Sequence, residues 1–273
     1  MMQDTSRLAI HTITTKPWPV EAAVEKYAAA GVRGISVWKE ALEGRKASAV
    51  GEMIRAAGLR IVSTVRGGFF PALSPEERRK SLDQNRALID LSAELGSPMI
   101  VLVPGAHPGQ DLEESRRQIR DGIAAILPRA EEAGIRLAVE PLHPMYADAR
   151  SAVNTLKQAN DLCLELDHPS LGVAVDVYHL FWDPDLRREI DRCGRMGRIF
   201  AFHVCDWKTP TTDFLNDRGL MGEGCIDIPK IRRWVEEAGF AGPVEVEIFS
   251  HRYWAMDQDE YLALVVKAYR EHV

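Results

Sequence analysis

The chain has 273 residues, 46% of them apolar and 27% charged, enough for one sizeable core at a length that α/β barrels use as a single domain. A formal charge of −6 and a pI near 5.8 give no broad basic surface for nucleic acid or an anionic membrane, so a small, uncharged substrate suits the composition better. The four cysteines, Cys163, Cys193, Cys205 and Cys225, form no CxxC pair, which argues against a zinc-thiolate knuckle or a disulfide framework and for reduced thiols.

The opening MMQDTSRLAI is unlike a signal peptide, and no stretch approaches the ~20 apolar residues of a spanning helix, so a cytoplasmic protein is expected. Short apolar runs then alternate with longer amphipathic segments. The runs are LAIHTITT (8 to 15), GISVWK (34 to 39), RIVSTV (60 to 65), MIVLVPG (99 to 105), RLAVEPL (136 to 142), LGVAVDVYH (171 to 179), RIFAFHVCD (198 to 206) and GPVEVEIFS (242 to 250). Nearly continuous apolar runs are what parallel strands covered by helices show. Between them, Ser74-Pro75-Glu76-Glu77 combines a cap, a Pro at the first helical position and a Glu at the third, predicting a helix of roughly 20 residues. Ile231, Trp234, Val235 and Ala238 form an apolar stripe for packing outside the sheet. Glycines in AAAGV, AAGLR, AELGS, EEAGI and EEAGF sit where a left-handed helix cap turns the chain into the next strand. Eight strand-helix units in strict alternation predict a (β/α)8 TIM barrel, one domain over 1–273.

In such barrels the chemistry lies at the C-terminal ends of the strands. The last four runs each end in a polar group there: Glu140, Asp176, His203 and Glu247. A single His or Glu at a strand end is usually an ordinary hydrogen-bonding residue. Four on successive strands argue for a shared role, because three carboxylates converging on one mouth repel one another unless a cation neutralises them. Three oxygen donors and one nitrogen suit Mn²⁺, Mg²⁺ or Co²⁺, with Zn²⁺ less favoured.

Over essentially its whole length the chain resembles the xylose isomerase-like sugar isomerase and epimerase superfamily, through VEPLHP (139 to 144), DVYH (176 to 179), FHVCD (202 to 206), RGLMGEGCIDIP (218 to 229) and VEVEIFS (244 to 250). It looks closest to the inosose isomerases and ketose 3-epimerases. The resemblance implies that Glu140, Asp176, His203 and Glu247 are metal ligands, that Glu140 and Glu247 also act as acid and base, and that His179 and Arg218 contact substrate oxygens. A metal so held would chelate the oxygens of a ketose or cyclic keto-polyol and acidify the neighbouring C–H, and an enediolate would form.

Trp38, His107 and His143 are further substrate-binding candidates near strand ends, with Lys39 and Arg66 beside them. Trp38 could stack on a sugar face or simply pack in the core. His11 is placed at the barrel floor. Trp182, Trp207 and Trp254 are candidates for walling off the pocket, the Gly-rich GLMGEG is read as a turn beneath the site, and the long segment 207–221 as a lid. Alternatives are a lyase acting on a keto-sugar or 3-keto-glycoside through the same enediolate, an endonuclease IV-like nuclease, and a non-catalytic sugar-binding subunit. The nuclease would need further metal-binding histidines and positive surface. No phosphate site is evident in the sequence. The expected partner is a small sugar or cyclitol, and aromatic residues around the mouth would equally serve a homo-oligomer contact.

Overall fold

Alternating apolar runs and helices close on themselves in the computed structural model, which describes residues 5–273. The strands are β1 (Leu8–His11), β2 (Gly34–Trp38), β3 (Arg60–Gly68), β4 (Met99–Val103), β5 (Arg136–Val139), β6 (Leu171–Asp176), β7 (Ile199–Val204) and β8 (Val244–Val246). They are parallel and pair in sequence order, and β1 closes the barrel against β8 through Leu8 and Val244. Every predicted run holds a strand. The strands are shorter than the runs because the chain leaves the sheet as soon as its polar residues reach the barrel mouth, except β3, which continues to Gly68.

Side chains alternate between lumen and helix layer with period two. Val139, Val175, Phe202 and Val246 join the large outer core against the helices. Ala138, Ala174 and Ala201 join a smaller cluster with Val65, Met99 and Val101, capped by Trp38 and Phe249. Two residues beyond each of those alanines stand Glu140, Asp176 and His203, on the same face one layer nearer the mouth. Register fixes them side by side, since Asp176 pairs with His203 and His203 with Glu245.

The helix after β3 spans Pro75–Leu95 and starts on a reciprocal capping box between Ser74 and Glu77, as its sequence requires. It ends at Gly96, whose φ of 81° is left-handed backbone that only glycine adopts without strain. In the helix Ile228–Glu237, Ile231 and Val235 are buried, whereas Trp234 stays half-exposed with Arg187 and Lys230 against its ring. That stripe is therefore narrower than expected. All four cysteines are free thiols. Among the described residues no helix is long and apolar enough to cross a membrane.

Candidate metal centre

Glu140 follows β5 directly, Asp176 ends β6, His203 lies in β7 and Glu247 follows β8. One ligand atom from each lies within 4.8 Å of all the others, and all four residues are buried. His203 turns Nδ1 to Glu140 Oε1 at 2.8 Å. Asp176 accepts from the Tyr178 amide through Oδ1, at 2.7 Å, while Oδ2 is buried without a hydrogen-bond partner. A buried carboxylate oxygen left open beside two other carboxylates is what a cation site looks like before the cation is counted. The donor set fits a divalent metal.

The electrostatics agree. Burial, then the neighbouring Glu140, pushes the Asp176 carboxyl up to about 7. His203 is raised to about 10: burial opposes its charge, and Glu245 and Glu140 outweigh burial. Burial also works to protonate Glu247, but His11 and Arg218 hold it well below the usual carboxylate range. Without a cation the cluster thus keeps protons in its place.

Beneath the ligands a chain of alternating Glu and His runs from one ligand to another. Glu140 meets His203 Nδ1, and His203 Nε2 faces Glu245 Oε1 at 3.7 Å. Glu245 Oε2 accepts from His11 Nε2 at 3.2 Å, and His11 Nδ1 lies 3.1 Å from Glu247 Oε1. Ser36 at 2.5 Å and Ser63 at 3.3 Å also donate to Glu245 Oε2. Trp38 Nε1 comes within 3.2 Å of His11 Nδ1, so that nitrogen donates to Glu247 when the ring is charged and accepts from Trp38 when it is neutral. His11 is raised from its usual value: burial works against its charge, and Glu247 and Glu245 overcome that.

His179 and Arg218 stand beside these four residues. Arg218 donates to Glu247 Oε2 at 3.0 Å, lies 3.9 Å from Asp176 and is fixed between the rings of Tyr178 and Phe249. His179 Nε2 is 3.4 Å from Arg218 and 3.7 Å from Asp176, and burial followed by the Arg218 charge keeps the imidazole neutral. Trp38 and Phe249 line the pocket over the ligands, together with Tyr146, Leu215, Arg66 and Arg150.

His107 and His143 do not reach it. Each turns Nδ1 back to cap an amide two residues on, Gly109 at 3.1 Å and Met145 at 3.2 Å. His143 instead stands behind the site, its amide donating to His179 Nδ1 at 3.3 Å and its ring against Trp207. Trp254 lines an outer cavity of about 700 Å³, while Trp207 packs on Tyr178. GLMGEG runs beside the site rather than beneath it, because Gly219 bridges Asp206 just past β7. Asp206 holds that turn by accepting from the amides of Trp207, Gly222 and Ile226 at 2.8, 2.9 and 3.0 Å.

The long segment before it is latched rather than loose. Tyr146 and Tyr178, from after β5 and β6, both donate to the Phe214 carbonyl, at 2.8 and 2.7 Å. Lys208 pairs with Asp217 across the segment's base. Leu215 then points into the pocket.

Residues 24–271 match the family model described as xylose isomerase-like TIM barrel. The chain belongs to that family. Among relatives of this xylose isomerase-like chain, an inosose isomerase of Bacillus licheniformis is 24% identical over 196 residues, 70% of this chain and 68% of its own. The 3-dehydroshikimate dehydratase of Pseudomonas putida is 27% identical over 85% of this chain, which spans only 36% of that protein. The crystal structure of protein SMc04130 from Sinorhizobium meliloti is 45% identical with a TM-score of 0.94 over 98% of each chain. A structure of the IOLI protein with a bound zinc atom has a TM-score of 0.84 at 20% identity over 96% of each chain, a likeness of fold.

Proposed function

We propose that this chain is a divalent-metal-dependent sugar isomerase or epimerase acting on a ketose or a cyclic, inosose-like keto-polyol through an enediolate. The observation that carries the reading is the buried convergence of Glu140, Asp176, His203 and Glu247 at the mouth of the barrel. The named isomerases and epimerases among its relatives support it. A divalent ion, Mn²⁺ first and Mg²⁺, Co²⁺ or Zn²⁺ as alternatives, would polarise a substrate carbonyl and acidify the adjacent C–H.

The chain's own residues supply the rest. Glu247, kept ionised by His11 and Arg218, takes the proton from carbon as the electron pair moves to the carbonyl oxygen. Glu140, three strands around the barrel and protonated when Glu247 is ionised, gives its proton to the other face or to the neighbouring carbon, so that each turnover leaves the proton on Glu247 and the roles exchange in the reverse direction. Arg218 and neutral His179 orient substrate oxygens, and Trp38 and Phe249 exclude water. Loss of a β-hydroxyl from the same enediolate is a second reading, favoured by the likeness to the dehydratase. The ligand groups contain only His11 and His203 as histidines among the described residues, which weighs against a histidine-rich nuclease cluster.

The test is to incubate metal-loaded protein with ketoses, inososes and 3-keto-glycosides in D2O and follow deuterium and products by NMR. Exchange at the carbon next to the carbonyl is expected, and Glu140→Gln and Glu247→Gln should fold yet nearly abolish it. No exchange in any class with metal bound, or near-normal exchange in either variant, would overturn the reading. A product lighter by one water would select the dehydratase reading.

A further inference from the structure

Two arginines share the pocket of Glu140 and Glu247 without a direct ion pair to any carboxylate. Arg66, in β3, and Arg150, in the segment after β5, both line the pocket that contains Glu140, Glu247, His179 and Arg218, and both also line the outer cavity of about 700 Å³ above it. Several other arginines are ion-paired. Arg45, Arg120, Arg129 and Arg187 each meet a carboxylate within 2.6 Å. Arg218, deeper in the same pocket, is committed to Glu247. Among the described residues, Arg66 and Arg150 have no carboxylate within 4.0 Å and donate no side-chain hydrogen bond, and Arg66 Nε is buried without an acceptor.

Half-buried cations without partners are costly unless a ligand completes them. Here they also face one another: Arg150 is held below its usual value first by burial and then by repulsion from Arg66. Yet both are kept in place. The guanidinium of Arg66 lies between the rings of Trp38 and Phe69, at 5.5 and 5.1 Å, and that of Arg150 lies on Tyr146 at 5.6 Å. Stacking holds the plane of a guanidinium and leaves its N–H edge free for a planar, bidentate acceptor. Exposed Lys16 adds a further cation at the outer rim, where Glu40 is the one carboxylate among the described lining residues.

Resting on the enolising site proposed above, we infer that the substrate is a keto-acid of the polyol series, whose carboxylate is gripped by Arg66 and Arg150 while its carbonyl and neighbouring hydroxyl face Glu140 and Glu247. The chain's net negative charge had favoured an uncharged substrate, but a total over the whole surface says nothing about two cations in one pocket. Trp38, Phe249 and Leu215 line the same pocket, and a carboxylate is put ahead of a phosphate ester because it is the planar acceptor that matches the edge of a stacked guanidinium.

The test measures binding directly. Calorimetric titration of the Mn²⁺-loaded protein with D-fructose, its 6-carboxylate analogue and D-fructose 6-phosphate should give the carboxylate at least a tenfold advantage over the neutral sugar. Arg66→Gln and Arg150→Gln should each remove most of that advantage, with melting and Mn²⁺ binding confirming the fold. Equal binding of acid and neutral sugar by the unaltered protein would overturn the inference even if a variant failed to fold, and so would tighter binding of the phosphate ester. Failure of the enolisation reading would appear separately, as absence of deuterium exchange in a compound that binds.

Discussion

Replacing Glu245 by Gln isolates what the carboxylate below the ligands does for the metal. Its Oε2 gathers Ser36 at 2.5 Å, His11 at 3.2 Å and Ser63 at 3.3 Å, whereas Oε1 faces only the otherwise unpartnered His203 Nε2 at 3.7 Å. Three donors converging on the Oε2 position will hold the amide oxygen of the substituted side chain there, so its –NH2 must take the Oε1 position. It then points a donor at His203 Nε2. That nitrogen can only respond by becoming the acceptor, which moves the imidazole proton to Nδ1, the nitrogen turned toward Glu140 that would face a bound metal. Outer partners of this kind contribute about 10–100-fold in metal affinity, or roughly 1.4–2.8 kcal/mol. Titrating Glu245→Gln with Mn²⁺ and following the free ion by electron paramagnetic resonance should show that loss, with circular dichroism confirming that the metal-free variant is folded. Affinity within about twofold of the parent would refute the tautomer argument, since this is far below the smallest loss expected from such a partner.

The raised pKa values of His203, about 10, and Asp176, about 7, mean that the metal-free centre is protonated at neutral pH. Because a bound metal would need both groups deprotonated, affinity should weaken as pH falls below about 10 and more steeply below about 7, with release of about one to two protons at pH 7. Calorimetry in buffers of different ionisation enthalpy checks this, and a binding heat independent of buffer would count against it. Asn85, 5% exposed, accepts from the Gly68 amide at 2.7 Å and donates to the Gly68 and Ser81 carbonyls at 2.8 and 2.9 Å. Asn85→Ala strands those groups and should cost about 2 kcal/mol, or roughly 5 °C in Tm, with Mn²⁺ affinity unchanged. An unchanged melting temperature would show that water replaces the amide.

The four residues that converge at the mouth were legible because a charged residue ending an apolar run is conspicuous at a strand end. Glu245 was equally available, since VEVE puts it on the same face as Glu247 one layer down, but a charge inside a strand reads as solvent-facing until the barrel closes around it. His107 and His143 were chosen for nearness in sequence to strand ends, and local turns that cap their own amides carry them away from the pocket. Arg150 left no trace, because it sits in an irregular segment whose path is set by contacts with the rest of the barrel. Its meeting with Arg66 is a product of closure, and the overall charge conceals it.

The Phe214 carbonyl, clasped by Tyr146 and Tyr178, ties the entrance to the interior. Tyr146 also carries Arg150 on its ring, and Tyr178 carries Arg218. Any displacement of the segment would therefore take the acceptor from both tyrosines at once. On the keto-acid reading, the contacts that close the entrance would thus be shared with the groups that recognise the anion.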